Sequence, residues 1–164
     1  MSSKLEDFEF LSQDEEIIGL KDLKGKWWLA YFLYTDCKLV CPTTTPNMAK
    51  VQKDLKDLGL DVEIIAFTVD PDKDHPAVLK EYASQYDLDL SNWHFLTGYD
   101  FDEIKKLSNE SFQTVLERGG PTDHAFAHST AFFLVNPKGV VIKRYDGMSL
   151  KEAENIVQDL KNLR

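Results

Sequence analysis

The sequence predicts an α/β fold of three layers, with a central mixed β-sheet, an amino-terminal β-hairpin and an insertion before a closing hairpin. Three features carry that expectation. Residues 27–34 (WWLAYFLY) are a continuous apolar run and 62–69 (VEIIAFTV) a second β-rich run, as expected of buried central strands. A one-sided helical pattern lies between them, which makes a βαβ unit with parallel strands. Residues 131–135 and 140–145 are two further β-rich runs around Asn136-Pro137-Lys138-Gly139, a segment suited to a tight reversal, so this last pair should be antiparallel.

In chain order, FEFLSQDEEIIGL reads as the front hairpin, and residues 1–7 as a disordered or vector-derived start. After the first long strand a helix opens within CKLVCP; Met48, Val51, Leu55 and Leu58 recur at helical spacing, and Gly59 ends the pattern. HPAVLKEYASQY predicts a second helix, with Pro76 in its first turn and Val78, Leu79, Tyr82 and Tyr86 on one face. WHFLTG is a short third strand, and Phe101, Ile104 and Leu107 mark one face of the helix that follows. In the last helix Ser149 is the N-cap, Glu152 stands three residues on, and Leu150, Ala153, Ile156, Val157, Leu160 and Leu163 form the apolar face. This order is thioredoxin-like, and 164 residues without a repeat or linker make residues 1–164 one domain.

A composition of 43% hydrophobic and 29% charged residues suits a globular chain, and a net charge of −9 repels phosphate backbones. With no local Lys/Arg cluster to offset it, nucleic acid is excluded as a partner. No apolar run reaches the roughly 18 residues of a membrane span, so a soluble domain is expected.

The chemistry concentrates in FLYTDCKLVCP, which holds both cysteines, Cys37 and Cys41. A disulfide between them would close a tiny loop and add little stability, so a structural staple is disfavoured. They stand where a strand gives way to a helix, at the carboxyl end of the sheet where open α/β folds gather their chemistry. Free N–H groups and the positive end of the helix dipole favour thiolate there, the form that attacks disulfides and binds soft metals. Spacing of i to i+4 permits both outcomes.

Each histidine has a plain alternative to ligation. His75 precedes Pro76 at a helix start and reads as solvated, His94 as a strand residue packed beside Trp93, and His124 as part of a polar loop. His128 opens HSTAFFLV, just before a buried strand at the cysteine end of the sheet; position alone leaves metal ligand and structural histidine both open. Two thiolates and one imidazole fall short of the four ligands of structural zinc and suit copper, whose Cu(I) form accepts soft sulfur at low coordination number.

FLYTDCKLVCP resembles the Cys-x-x-x-Cys-Pro segment of the Sco/SenC copper-chaperone family, FTVDPDKDHPAVLKEYA resembles its Asp-Pro loop and following helix, and HSTAFFLVNPKG its histidine-led strand and turn. The motifs occur in the family's order and, with NWHFLTG, cover nearly all the chain after the front hairpin. The resemblance implies one copper ion, Cu(I) or Cu(II), held by Cys37, Cys41 and His128. It also implies a role in maturing the dinuclear copper site of cytochrome c oxidase subunit II, either by delivering copper or by keeping that site's cysteines reduced. Other copper carriers and thiol–disulfide reductases are further partners it implies. The full-length protein would be extracytoplasmic and membrane-anchored, with the anchor outside this chain. Asp70 aligns with an acidic residue near the family's metal; as a residue, it also suits a loop or helix cap. Many members carry an acidic residue before the metal histidine where this chain has Ala127, which leaves Asp70 or Asp123 to orient the imidazole.

Two enzymatic alternatives stand beside this reading. A thiol–disulfide oxidoreductase would use Cys37 and Cys41 as its catalytic dithiol; its usual Cys-x-x-Cys spacing and strand-opening proline are replaced here by one more intervening residue and by AHST. A thiol peroxidase would need a cation beside one thiolate, and its candidates, Lys38 and Arg144, read equally as solvated surface charges. Trp27, Trp28 and Tyr31 could belong to a docking face or to the core.

Overall fold

The computed structural model describes residues 3–36, 41–118 and 126–163. Strands β1 (Ser3–Lys4), β2 (Glu9–Ser12) and β3 (Ile17–Gly19) lead through a single helical turn, α1 (Leu20–Leu23), into β4 (Trp27–Leu33). Then follow α2 (Cys41–Asp57), β5 (Val62–Thr68), α3 (Pro76–Gln85) and β6 (Trp93–Thr97). Next comes α4 (Phe101–Lys106), which runs into a π turn (Leu107–Ser111), and then the strands β7 (Leu116–Arg118) and β8 (Phe126–His128). β9 (Ala131–Val135), β10 (Val140–Asp146) and α5 (Leu150–Leu163) close the chain.

One mixed sheet runs in the order β1-β10-β9-β4-β5-β6-β2-β3, with β4, β5 and β6 parallel and the other pairs antiparallel. Successive side chains of a strand point to opposite faces. Leu29, Tyr31 and Leu33 of β4 therefore join one apolar layer with Met48, Val51, Leu79, Ile156 and Leu160 from α2, α3 and α5. Trp28, Ala30 and Phe32 join a second with Phe8, Phe10, Ile104, Phe112 and Leu116. The three layers and the thioredoxin-like order expected from the sequence are present, and so are the front hairpin and the closing β9–β10 pair.

The differences have local causes. Ser3 and Lys4 were expected in a disordered start but pair with Val141 and Val140, because buried Leu5 and Phe8 hold the segment against the sheet. Leu58, Leu150 and Leu163 are exposed rather than on apolar faces, since each stands at or beyond a helix end, and Val78, in the first turn of α3, is exposed beside buried Leu79. Helix α2 is also pinned by polar groups that hydrophobic periodicity does not reveal. The buried Thr45 hydroxyl lies 2.8 Å from the Tyr82 hydroxyl and 3.3 Å from that of Tyr31, and Gln52 Nε2 donates to Asp89 O and Asn92 Oδ1. As expected, Ser149 caps α5, accepting from Glu152 N–H at 3.2 Å. Trp28 and Tyr31 belong to the core and offer no docking surface; Trp27 is partly buried against it.

Candidate functional site

Because β4, β5 and β6 are parallel, their carboxyl ends lie along one edge of the molecule. The chain leaves β4 there and enters α2, whose first residue is Cys41. β9 runs antiparallel to β4, so its first residue, Ala131, comes to the same edge. His128 stands just before it, at the end of β8, where its backbone pairs with Leu116 of β7. The topology thus brings the start of the cysteine helix and the backbone of His128 to one end of the sheet. Cys37, Asp123, Lys38 and His124 lie outside the described residues. Among the described residues alone, no group of three or more His, Cys, Asp or Glu could hold a metal ion.

Beneath this edge lies a polar network centred on a residue that sequence reasoning passed over. Asp74 is 1% exposed, and its carboxylate accepts from Thr35 N–H at 3.0 Å, from the Thr35 hydroxyl and from the Thr68 hydroxyl at 2.6 Å. A buried carboxylate is tolerated only with such donors around it. It ties the segment leaving β4, two residues before Cys37, to the end of β5. Asp70 is also buried; its N–H donates to Thr68 Oγ1 at 3.1 Å, and its carbonyl accepts from the N–H groups of Lys73 and Asp74. Asp70 therefore shapes the loop that presents Asp74. The available signal was two threonines closing apolar runs, in FLYTD and AFTVD, with the third acid of DPDKD within reach.

Tyr99 completes the network, donating to the carbonyls of Thr68 at 2.7 Å and Leu96 at 2.8 Å. Burial pushes its phenol well above the ordinary value of 10.0, and the Asp74 charge adds to the shift. With the folded value raised, the group's stabilising contribution is complete below about pH 10 and is lost as pH rises, because the unfolded chain ionises first. Unfolding free energy should therefore fall above about pH 10, and more shallowly in Tyr99→Phe; denaturant titrations from pH 8 to 11 measure both slopes.

The remaining histidines keep their plain roles. His75 is exposed at the start of α3, and His94 is half-buried with Nε2 3.6 Å from Glu63 Oε1. Arg144 lies over the Phe133 ring at 5.6 Å and donates at 3.5 Å to Ser129 Oγ, next in sequence to His128. The β7–β8 ribbon was not anticipated, being too short for periodicity to register. Its anchor is Leu116, fully buried beside Phe112 on the second apolar layer.

The family model described as SCO1/SenC matches residues 2–164. The chain belongs to the SCO1/SenC family. A SCO1/SenC family lipoprotein from Bacillus anthracis is 43% identical, with a TM-score of 0.93 over 98% of this Sco chain and 95% of that one. BsSco, a member of the Sco family of cytochrome c oxidase assembly proteins in which a disulfide switch was identified, is 39% identical, with a TM-score of 0.90 over 99% and 94% of the two chains. ScoI of Bradyrhizobium japonicum with copper bound is 29% identical, with a TM-score of 0.80 over 98% and 99%. These structures share the thioredoxin-like architecture of this Sco chain. No helix among its described residues is long and apolar enough to cross a membrane.

Proposed function

We propose that this Sco domain is a copper metallochaperone that holds one Cu(I) or Cu(II) on Cys37, Cys41 and His128 and serves the dinuclear copper site of cytochrome c oxidase subunit II. The observation that carries this reading is the convergence of the α2 start, with Cys41, and the His128 backbone at one end of the sheet. The copper-bound relative of the same architecture supports the choice of ion.

The chain's own groups would do the following. The amino end of α2 would stabilise thiolate at the cysteines, and the Asp74–Thr35 link fixes the chain as it leaves β4, two residues before Cys37. Two soft sulfurs suit Cu(I), and an imidazole adds a ligand that also serves Cu(II). Release to a partner proceeds by ligand exchange, one sulfur or nitrogen at a time. Asp70 and Asp123 are the carboxylates proposed to orient the imidazole, Asp70 from the end of β5. The domain is proposed to work outside the cytoplasm on a membrane tether, a reading supported by the lipoprotein relative.

The disulfide switch of BsSco favours a second reading, in which the same pair reduces a partner. Cys37 and Cys41 would give two electrons and two protons to a partner disulfide, leaving a disulfide here and a dithiol there. Oxidation of the pair removes both sulfur ligands, so the two readings share one switch.

Anaerobic Cu(I) titration and Cu(II) spectroscopy separate them. Cys37→Ser should weaken the sulfur-to-copper charge-transfer band, and Cys37→Ser/Cys41→Ser should lose it. His128→Ala should weaken copper binding by more than the ~10–100-fold typical of losing an outer partner, while the disulfide still forms. Unchanged affinity in His128→Ala would overturn the metallochaperone reading and leave the dithiol.

A further inference from the structure

The cysteine helix and the histidine strand are separate in sequence, and a hydrogen-bonded path joins them through a third segment. Asn47 lies on α2, less than two turns beyond Cys41. It is 7% exposed, and its Nδ2 donates to the Gly147 carbonyl at 2.8 Å. The Gly147 N–H in turn donates to the Thr130 carbonyl at 3.0 Å, two residues from His128. Each link is short enough to be fully formed.

The turn that carries Gly147 is itself fixed. Met148 N–H donates to Asp146 Oδ1 at 2.9 Å, and Ser149 N–H donates to Asp146 O at 3.1 Å. Gly147 leaves no room for another residue: a β-carbon would stand 2.3 Å from Thr130 O and 2.7 Å from Phe132 Cε1. The Phe132 ring packs against Tyr31 with centroids 5.5 Å apart, so it has little freedom to withdraw. The missing side chain lets the Gly147 and Thr130 backbones approach, and the Asn47 side chain reaches the Gly147 carbonyl from α2.

We propose that Asn47 is a positioning residue for the copper site: through Gly147 and Thr130 it sets the spacing between the start of the cysteine helix and the strand that bears His128. The inference rests on the three-ligand reading above. Asn47 acts on the backbones that carry the ligands, and its contribution is spent on bringing the imidazole within reach of the sulfurs. It should therefore matter only while His128 is present.

A double-mutant cycle tests this in the whole domain, with copper itself as the probe. Cu(I) affinity is measured by chelator competition and the Cu(II) form by electron paramagnetic resonance, for wild type, Asn47→Ala, His128→Ala and the double variant. Asn47→Leu, close in shape but without the donor, repeats the series should the alanine variant fold poorly. Asn47→Ala should lower affinity about tenfold, at the low end for loss of a ligand-orienting contact, and shift the copper hyperfine splitting. In the His128→Ala background it should cost nothing further, and disulfide formation should be unchanged in all four proteins. Equal losses in both backgrounds, or no loss in either, overturn the inference while a loss in His128→Ala upholds the three-ligand reading. No loss in His128→Ala alone overturns that reading and the inference with it.

Discussion

Phe112→Ala should lower the unfolding free energy by about 3–5 kcal/mol, the range for emptying a large aromatic site in a close-packed core. Phe112 is fully buried, and its ring centroid lies 5.1 Å from Phe133, 5.4 Å from Phe32, 5.8 Å from Phe67 and 6.5 Å from Trp28. Those rings come from β4, β5 and β9, whose pairing allows little collapse into the void. At roughly 2–4 °C per kcal/mol for a chain of this size, the melting temperature should fall by about 6–20 °C in a calorimetric scan. A loss below about 1 kcal/mol would mean that the cluster re-packs, contrary to this geometry. The same substitution should loosen the β7–β8 ribbon, because Phe112 closes the π turn that leads to Leu116, the backbone partner of His128. Copper affinity should drop even at temperatures where the variant is folded.

Asp74→Ala should cost about 3 kcal/mol and release Thr35, where the chain leaves β4 toward the cysteines. Hydrogen bonds to a charged acceptor contribute about 1.5–3 kcal/mol each, and a buried donor left without one costs about 1–3 kcal/mol. The carboxylate's own burial offsets part of that sum. Three donors lose their acceptor at once, the Thr35 N–H and hydroxyl and the Thr68 hydroxyl. Since Thr35 stands two residues before Cys37, alkylation of the reduced protein should accelerate at that cysteine, and mass spectrometry of the quenched reaction reads the change residue by residue. An unaltered alkylation rate would separate Asp74 from the cysteines and leave it a purely architectural acid. Asp74→Asn should be intermediate, keeping one acceptor oxygen but turning an amide toward the Thr35 donor.

What the sequence disclosed depended on the length of each signal. The buried strands at residues 62–68 and 131–135 and the amphipathic helix ending at Leu163 are long enough for periodicity to identify, and their order alone gave the layers and the site's end of the sheet. Cys41 and His128 could be placed because each opens or precedes a strongly patterned element. Asp74, Asn47 and Gly147 were missed for a common reason. Their partners are distant in sequence, at separations of up to 100 residues, and the polar bonds they make leave no trace in hydrophobic pattern. Asp70, chosen for its neighbourhood in VDP, proved to shape the loop that ends in Asp74, the acid that does the bracing. The ribbon of β7 and β8 escaped because three residues are too few for alternation to distinguish a strand from a loop.

The sheet's outermost strands are its shortest, two residues in β1 and three in β3. Beyond the reach of β1, the bare flank of β10 carries exposed Lys143, Arg144 and Asp146. A foreign peptide therefore meets either a very short edge strand or, along the open flank of β10, a run of charged side chains. Such a margin discourages self-templated aggregation.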